Sequence, residues 1–209
     1  MWGLIAKLLI GLAASVIVAA LTYRKPEQTI EAEDEVGYPK AEEGSEIGKV
    51  FGTVVIKSPQ VVWHGNLRSV AIVVKGPRRF GIVGPRSRTT VGYKYYVGVH
   101  FVACLGPVDA LLRIKVEEKR AWRGVASGLP LSGDRITINS PSLFGGEKRE
   151  GGIVGSLDFI GGYATQVRND YLQGVLGASI PAFRGVVSII LRRMYLGTSA
   201  YLKPWRFTI

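Results

Sequence analysis

A few residues of this 209-residue chain have types and spacings that suit chemistry. Gly44-Ser45-Glu46-Ile47-Gly48-Lys49 approaches a phosphate loop. That loop needs four residues between its glycines, so that backbone amides ring the phosphates, and then Ser or Thr to hold magnesium. Here three residues separate the glycines and Val50 follows Lys49, so a turn before a strand is expected instead. Gly151, Gly152 and Gly155 do not form a dinucleotide fingerprint, because no G-x-G-x-x-G opens a helix after a strand. His64 stands beside Trp63, and His100 lies in an apolar run; both read as hydrogen-bonded structural residues. Cys104, the one cysteine, reads as a small buried hydrophobe and excludes a disulfide framework or a Cys-cluster zinc site. No Ser, His and acid share a recognisable elbow, and no motif pairs carboxylates for acid–base work. The expectation is a protein that is not an enzyme, with no catalytic, cofactor-binding or metal-binding residue and no cofactor.

The densest functional signal is basic. Lys75, Arg78, Arg79, Arg86 and Arg88 fall within KGPRRFGIVGPRSR (75–88), read as a Gly/Pro-rich hairpin-like loop. Such a loop suits either phosphates or an acidic protein surface. No RNA-binding signature frames it, and Tyr93, Tyr95 and Tyr96 nearby sit in a strand where core packing is the default.

The elements that must position these residues read as mostly β. VFGTVVI (50–56), VVWHG (61–65) and VAIVV (70–74) are short β-branched runs divided by Ser-Pro, Gly-Asn and Gly-Pro turn signals. VGYKYYVGVHFVACL (91–105) follows and ends at a Gly-Pro. In LLRIKVEE (111–118), Leu112, Ile114 and Val116 fall on one side, and Arg113, Lys115 and Glu117 on the other. RITINS (135–140), GGIVGSLDFIGG (151–162), FRGVVSIILRRMYL (183–196) and LKPWRFTI (202–209) complete the strands. NDYLQGVLG (169–177) is the one short helix in this part, with Asn169 as N-cap and Gly177 at its end. The expected class is mainly β, or β-dominated α+β.

Composition agrees with a folded chain: 47% apolar, 21% charged and 27 glycines that imply many turns. Lys plus Arg number 27 against 16 Asp plus Glu, a net charge of +11 that is unevenly placed. Residues 1–46 carry four bases and eight acids, whereas residues 47–209 carry 23 bases and eight acids. The sequence divides accordingly into an apolar N-terminal helix (1–22), an acidic extended arm (23–49) and a β-rich domain (50–209). The first of these, with LLIGLAASVIVAAL at its centre, suits a secretory signal, a membrane anchor or a helix buried in an assembly. Small residues at Gly11, Ala14 and Ser15 would permit close helix packing beside Leu8. The arm reads as a solvated linker or as a segment that docks on a basic neighbour, including another copy of the body.

Three segments together resemble one family. YKYYVGVHFVACLGPVDALLRIKVEEK (93–119) resembles a block of a Tyr-rich strand, then Cys-x-Gly-Pro-hydrophobic-Asp, then an alternating strand. PAFRGVVSIILRRMYLGTSAYLKPWRFTI (181–209) resembles an aromatic-Arg-Gly block with a strand and a Pro-aromatic-x-Phe strand. FGTVVIKSPQVVWHG (51–65) adds an early Gly-x-hydrophobic strand followed by Pro and Val-Trp. In this order they resemble the central tail hub proteins of long-tailed phages, which include the tip attachment protein of phage lambda and the baseplate hub of gene transfer agents.

The resemblance implies a sandwich- or barrel-like hub domain in a structural virion protein at the distal tail tip, assembled in the host cytoplasm. It implies a homo-oligomer, a trimer, that closes the tail tube. Its implied partners are the distal tail ring, the tape measure and receptor-binding or fibre proteins, with transient DNA passage during ejection. Family hubs are usually several times longer, so this chain is expected to be a short hub or the N-terminal part of one. The apolar helix then becomes a bundle on the tail axis, with membrane contact during infection as a secondary role. The expected protein-interface residues are Leu8, Gly11, Ala14, Ser15, Arg78, Arg79, Arg86 and Arg88. The competing reading is a membrane-anchored bacterial protein with a basic β-rich domain.

Overall fold

The structure, a computed structural model, describes residues 46–209 except 81, 82 and 130, with backbone alone for 77–80 and 83–87. The expected helix at 1–22 and nearly all of the arm lie outside these residues. The strands are β1 (Val55–Ile56), β2 (Gln60–Phe80), β3 (Val83–Leu105), β4 (Ala110–Val116), β5 (Lys119–Ser127), β6 (Asp134–Ser140), β7 (Ile153–Ile160), β8 (Val186–Gly197) and β9 (Trp205–Thr208). One short helix, α1 (Asp170–Leu176), interrupts them. They form a five-stranded sheet in the order β2-β3-β8-β7-β6 and a four-stranded sheet in the order β1-β9-β4-β5. The pairings β3–β8, β7–β8, β6–β7, β4–β5, β4–β9 and β1–β9 are antiparallel. The mainly β expectation holds, as two sheets packed on one core.

Alternation decides what each strand buries. On β8, Val187, Ile189 and Leu191 join Val99 and Phe101 of β3 and Leu157 and Phe159 of β7 in the core. Leu111, Ile114 and Val116 of β4, with Trp205 and Phe207 of β9, meet them from the other sheet. Phe101 packs within 6.0 Å of Trp205 and 5.7 Å of Phe207, ring centre to ring centre. Each such fully buried side chain contributes roughly 1.5–3 kcal/mol relative to exposure. The alternate residue Ile190 points to the opposite face and packs with Ile160, Leu172 of α1 and Ile180. At β8 the five-stranded sheet is therefore covered on both faces, which is why Ile189, Ile190 and Leu191 are apolar in succession.

Helix α1 forms as its sequence predicts. Asn169 accepts the Leu172 amide hydrogen bond at 3.1 Å through its side chain, and the Gly177 amide closes the C-terminus on Gln173.

Three expectations are corrected. The runs at 61–65 and 70–74 are one strand, because Gly65-Asn66 makes an irregularity inside β2 and not a turn. Asn66 adopts φ 54°, which asparagine tolerates, and its amide donates to the Tyr171 hydroxyl at 3.1 Å. In β4 the buried leucine is Leu111, with Leu112 half-buried. A register shift between Leu111 and Arg113 moves the first residue out of the alternation that Ile114 and Val116 obey. Of 50–56, only Val55 and Ile56 pair as a strand.

Candidate assembly surface

Of the expected interface residues, Leu8, Gly11, Ala14 and Ser15 lie outside the described residues. Residues 75–89 fall in a unit separate from the body and are taken by themselves. There Arg78 and Arg79 belong to β2, and Arg86 and Arg88 to β3, so the basic stretch is strand up to Phe80 and again from Val83. This corrects the loop expectation. Pro77 and Pro85 read as strand breakers, yet a strand at a sheet edge accepts proline where its missing N–H faces no partner. Arg88 is exposed.

Within the body, β2 is the outermost strand of its sheet. The register of β3 against β8 begins at Tyr95, so the preceding residues of β3 have β2 as their neighbour. On this part of the sheet Val70 is 37%, Val73 47%, Val74 51% and Val91 49% exposed. Val73 and Val74 are successive, so the valines open on both faces of the ribbon. A two-stranded ribbon is marginal alone, and unpaired edges with exposed apolar residues invite another chain.

One polar cluster of the body centres on a buried carboxylate. Asp158 on β7, 2% exposed, accepts from Arg135 at 2.8 Å, Arg192 at 2.6 Å and Asn169 at 2.8 Å. Arg192 also holds Asp170 through two hydrogen bonds of 2.8 and 2.7 Å. Hydrogen bonding from Arg192 outweighs partial burial and holds the Asp170 carboxyl down at about 2. The cluster thus ties β6, β7 and β8 to the start of α1. Among the described residues, no three of His, Cys, Asp and Glu are grouped as a metal set.

His100 and Cys104 are buried, as their surroundings in the sequence predict. His100 Nε2 lies 3.0 Å from Ser188 Oγ, and its ring meets the Phe183 ring edge-on at 4.5 Å. Burial drives the imidazole down to about 4 and the Cys104 thiol up to about 11. The depressed imidazole fixes a pH dependence. Between about pH 6.5 and pH 4 the unfolded chain gains a proton that the folded chain refuses, so stability falls with pH across that window. Each tenfold difference in proton affinity between the two states is about 1.4 kcal/mol, so the loss is on the order of 3 kcal/mol. Denaturant midpoints from pH 7 to pH 4 should show this slope, and His100→Leu should flatten it; an unchanged slope in the variant would assign it elsewhere.

Sequence reasoning passed over Asp158 and the whole of β5. The signal for the first was a lone acid in an apolar strand flanked by glycines. For the second it was Ala121 and Trp122 between Arg120 and Arg123, with Val125 and Ala126 following.

No family model matches the chain, and no curated protein matches it. Among solved structures, it is similar to a chain of "Virion of native gene transfer agent (GTA) particle", with 14% identity and a TM-score of 0.48. The alignment covers 100% of this chain and 38% of that one, so the chain spans well under half the length of its structural neighbour.

Proposed function

We propose that this chain is a structural virion protein, the central hub of a phage-type tail tip, acting as a homotrimer and without catalytic function. In this role it closes the distal end of the tail tube and joins the distal tail ring and tape measure to receptor-binding parts. The observation that carries the reading is the way the three resembling segments meet in space. The block at 93–119 supplies β4 and most of the paired length of β3, and the block at 181–209 supplies β8 and β9. They pair with each other twice, Phe101 opposite Ile189 in one sheet and Ile114 opposite Phe207 in the other. The segment at 51–65 adds β1, paired to β9, and the start of β2, beside β3. Blocks far apart in sequence therefore form one unit spanning both sheets, which supports the reading. The exposed valines of the β2–β3 ribbon supply an edge for ring assembly.

Immunogold labelling and peptide mass spectrometry of purified particles test this. Label confined to the distal tail tip is the expected result. Particles that lack the polypeptide overturn the reading, and its recovery in host membranes would favour the anchored alternative.

A further inference from the structure

The outward face of the four-stranded sheet carries cations opposite cations. Arg113 of β4 stands across from Arg123 of β5, and Lys115 of β4 across from both Arg120 of β5 and Arg206 of β9. Residues directly opposite on neighbouring strands share a face with Cβ atoms ~5 Å apart, and like charges there destabilise the sheet. Arg113, Arg120 and Arg123 are exposed, and Lys115 and Arg206 half-buried. Of the five, Arg206 alone has a carboxylate partner among the described residues, Glu118.

The body has few acids left to give. Of its eight carboxylates, six are already paired: Glu117 and Glu150 with Lys203, Glu118 with Arg206, Glu147 with Lys94, and Asp158 and Asp170 with Arg135 and Arg192. A seventh, Asp134, accepts from the Ser127 amide at 3.1 Å. The face is a like-charge array that the described carboxylates of the body leave largely uncompensated.

We propose that its anionic partner is the chain's own acidic segment, residues 27–43, lying over the face formed by Arg113, Lys115, Arg120, Arg123 and Arg206. The segment holds seven carboxylates against one lysine, Lys40. Glu31, Glu33 and Glu35 recur every second residue. In an extended backbone they share one side at intervals of ~6.8 Å, the repeat that separates Arg113 from Lys115 along β4. A nucleic acid would match the charge, but the covalently attached segment is always present at high local concentration. The pairing relieves the like-charge repulsion. It does not depend on the virion reading, since every readout below uses the purified full chain.

Zero-length carbodiimide coupling joins carboxylates to lysine amines, and Lys115 is the one lysine of the face. The expected product is a peptide linking Lys115 to Glu31, Glu33, Asp34 or Glu35 in low salt. It should be lost near 1 M salt, where the screening length falls to about 3 Å. Absence of that peptide in low salt overturns the proposal. The triple variant E31Q/E33Q/E35Q uncovers the face, so affinity for a single-stranded oligonucleotide should rise about tenfold. An affinity unchanged by the triple substitution, whether tight or undetectable, overturns it as well.

Discussion

Replacing Asp158 with alanine should destabilise the folded chain by about 3 kcal/mol, lowering its melting temperature by roughly 6–12 °C for a chain of this length. The carboxylate is 2% exposed and is met by two guanidinium groups and the Asn169 amide. Its loss leaves charges facing a buried gap, and removing one partner from a buried pair costs about 3–5 kcal/mol. The lower end applies because the survivors have other recourse. The Arg135 side chain is 54% exposed and can rehydrate, and Arg192, at 18%, keeps both bonds to Asp170. The same geometry ranks the other members. Arg135→Ala should cost under about 1 kcal/mol, as an exposed partner does. Arg192→Ala should cost nearly as much as the aspartate change, because it removes one guanidinium from Asp158 and Asp170 together. Equal effects at Arg135 and Asp158 in chemical denaturation would show that burial is not what gives the cluster its strength.

How much of this was legible in the sequence varies with the range of the forces involved. Local signals succeeded: Asn169 and Gly177 bracket α1, and the alternation of Ile136 with Ile138 places both in the core. Where local and tertiary demands diverged, local reading failed. Gly65-Asn66 has the chemistry of a turn, but Tyr171, more than a hundred residues away, holds the Asn66 side chain and the strand runs on. Leu112 fits the period of β4, yet the irregular pairing with β5 gives the buried place to Leu111.

The candidate site was less legible still. Counting charges separated an acidic arm from a basic body, but which cations share a face depends on the registers of β4, β5 and β9. The basic stretch at 75–88 drew attention through its density, whereas Arg113, Lys115, Arg120 and Arg123 are spread over two strands. Only pairing brings them into rows. Asp158 was hidden for a related reason, since its two arginines lie on different neighbouring strands.

The other large effect concerns glycine. Gly128→Ala should destabilise the fold by about 3–5 kcal/mol, or keep it from accumulating in folded form. The residue follows β5, where the backbone packs against the segment that carries the chain from β3 to β4. A Cβ at position 128 would stand 2.1 Å from the Val108 carbonyl oxygen and 3.2 Å from that of Asp109. Both are backbone atoms, so no side chain can swing aside, and overpacking against a fixed neighbour costs about 1–3 kcal/mol by itself.

Retreat of the backbone would break further bonds. The Gly128 amide donates to Asp109 at 2.6 Å, and the Val108 amide donates to Gly161 at 2.8 Å, each worth about 1 kcal/mol. Gly161 belongs to the same contact, since a Cβ there would lie 2.7 Å from the Gly128 Cα. The high glycine content therefore includes a place where the strand connections of the two sheets touch backbone to backbone.

Gly174, inside α1, is the matched control. A Cβ there meets nothing within 4 Å, so Gly174→Ala should be neutral or stabilising by up to about 1 kcal/mol. Thermal denaturation of the two variants decides the matter. If alanine is tolerated equally at 128 and 174, the glycines at the sheet junction are turn formers and not spacers, and the close approach is not what orders the two sheets.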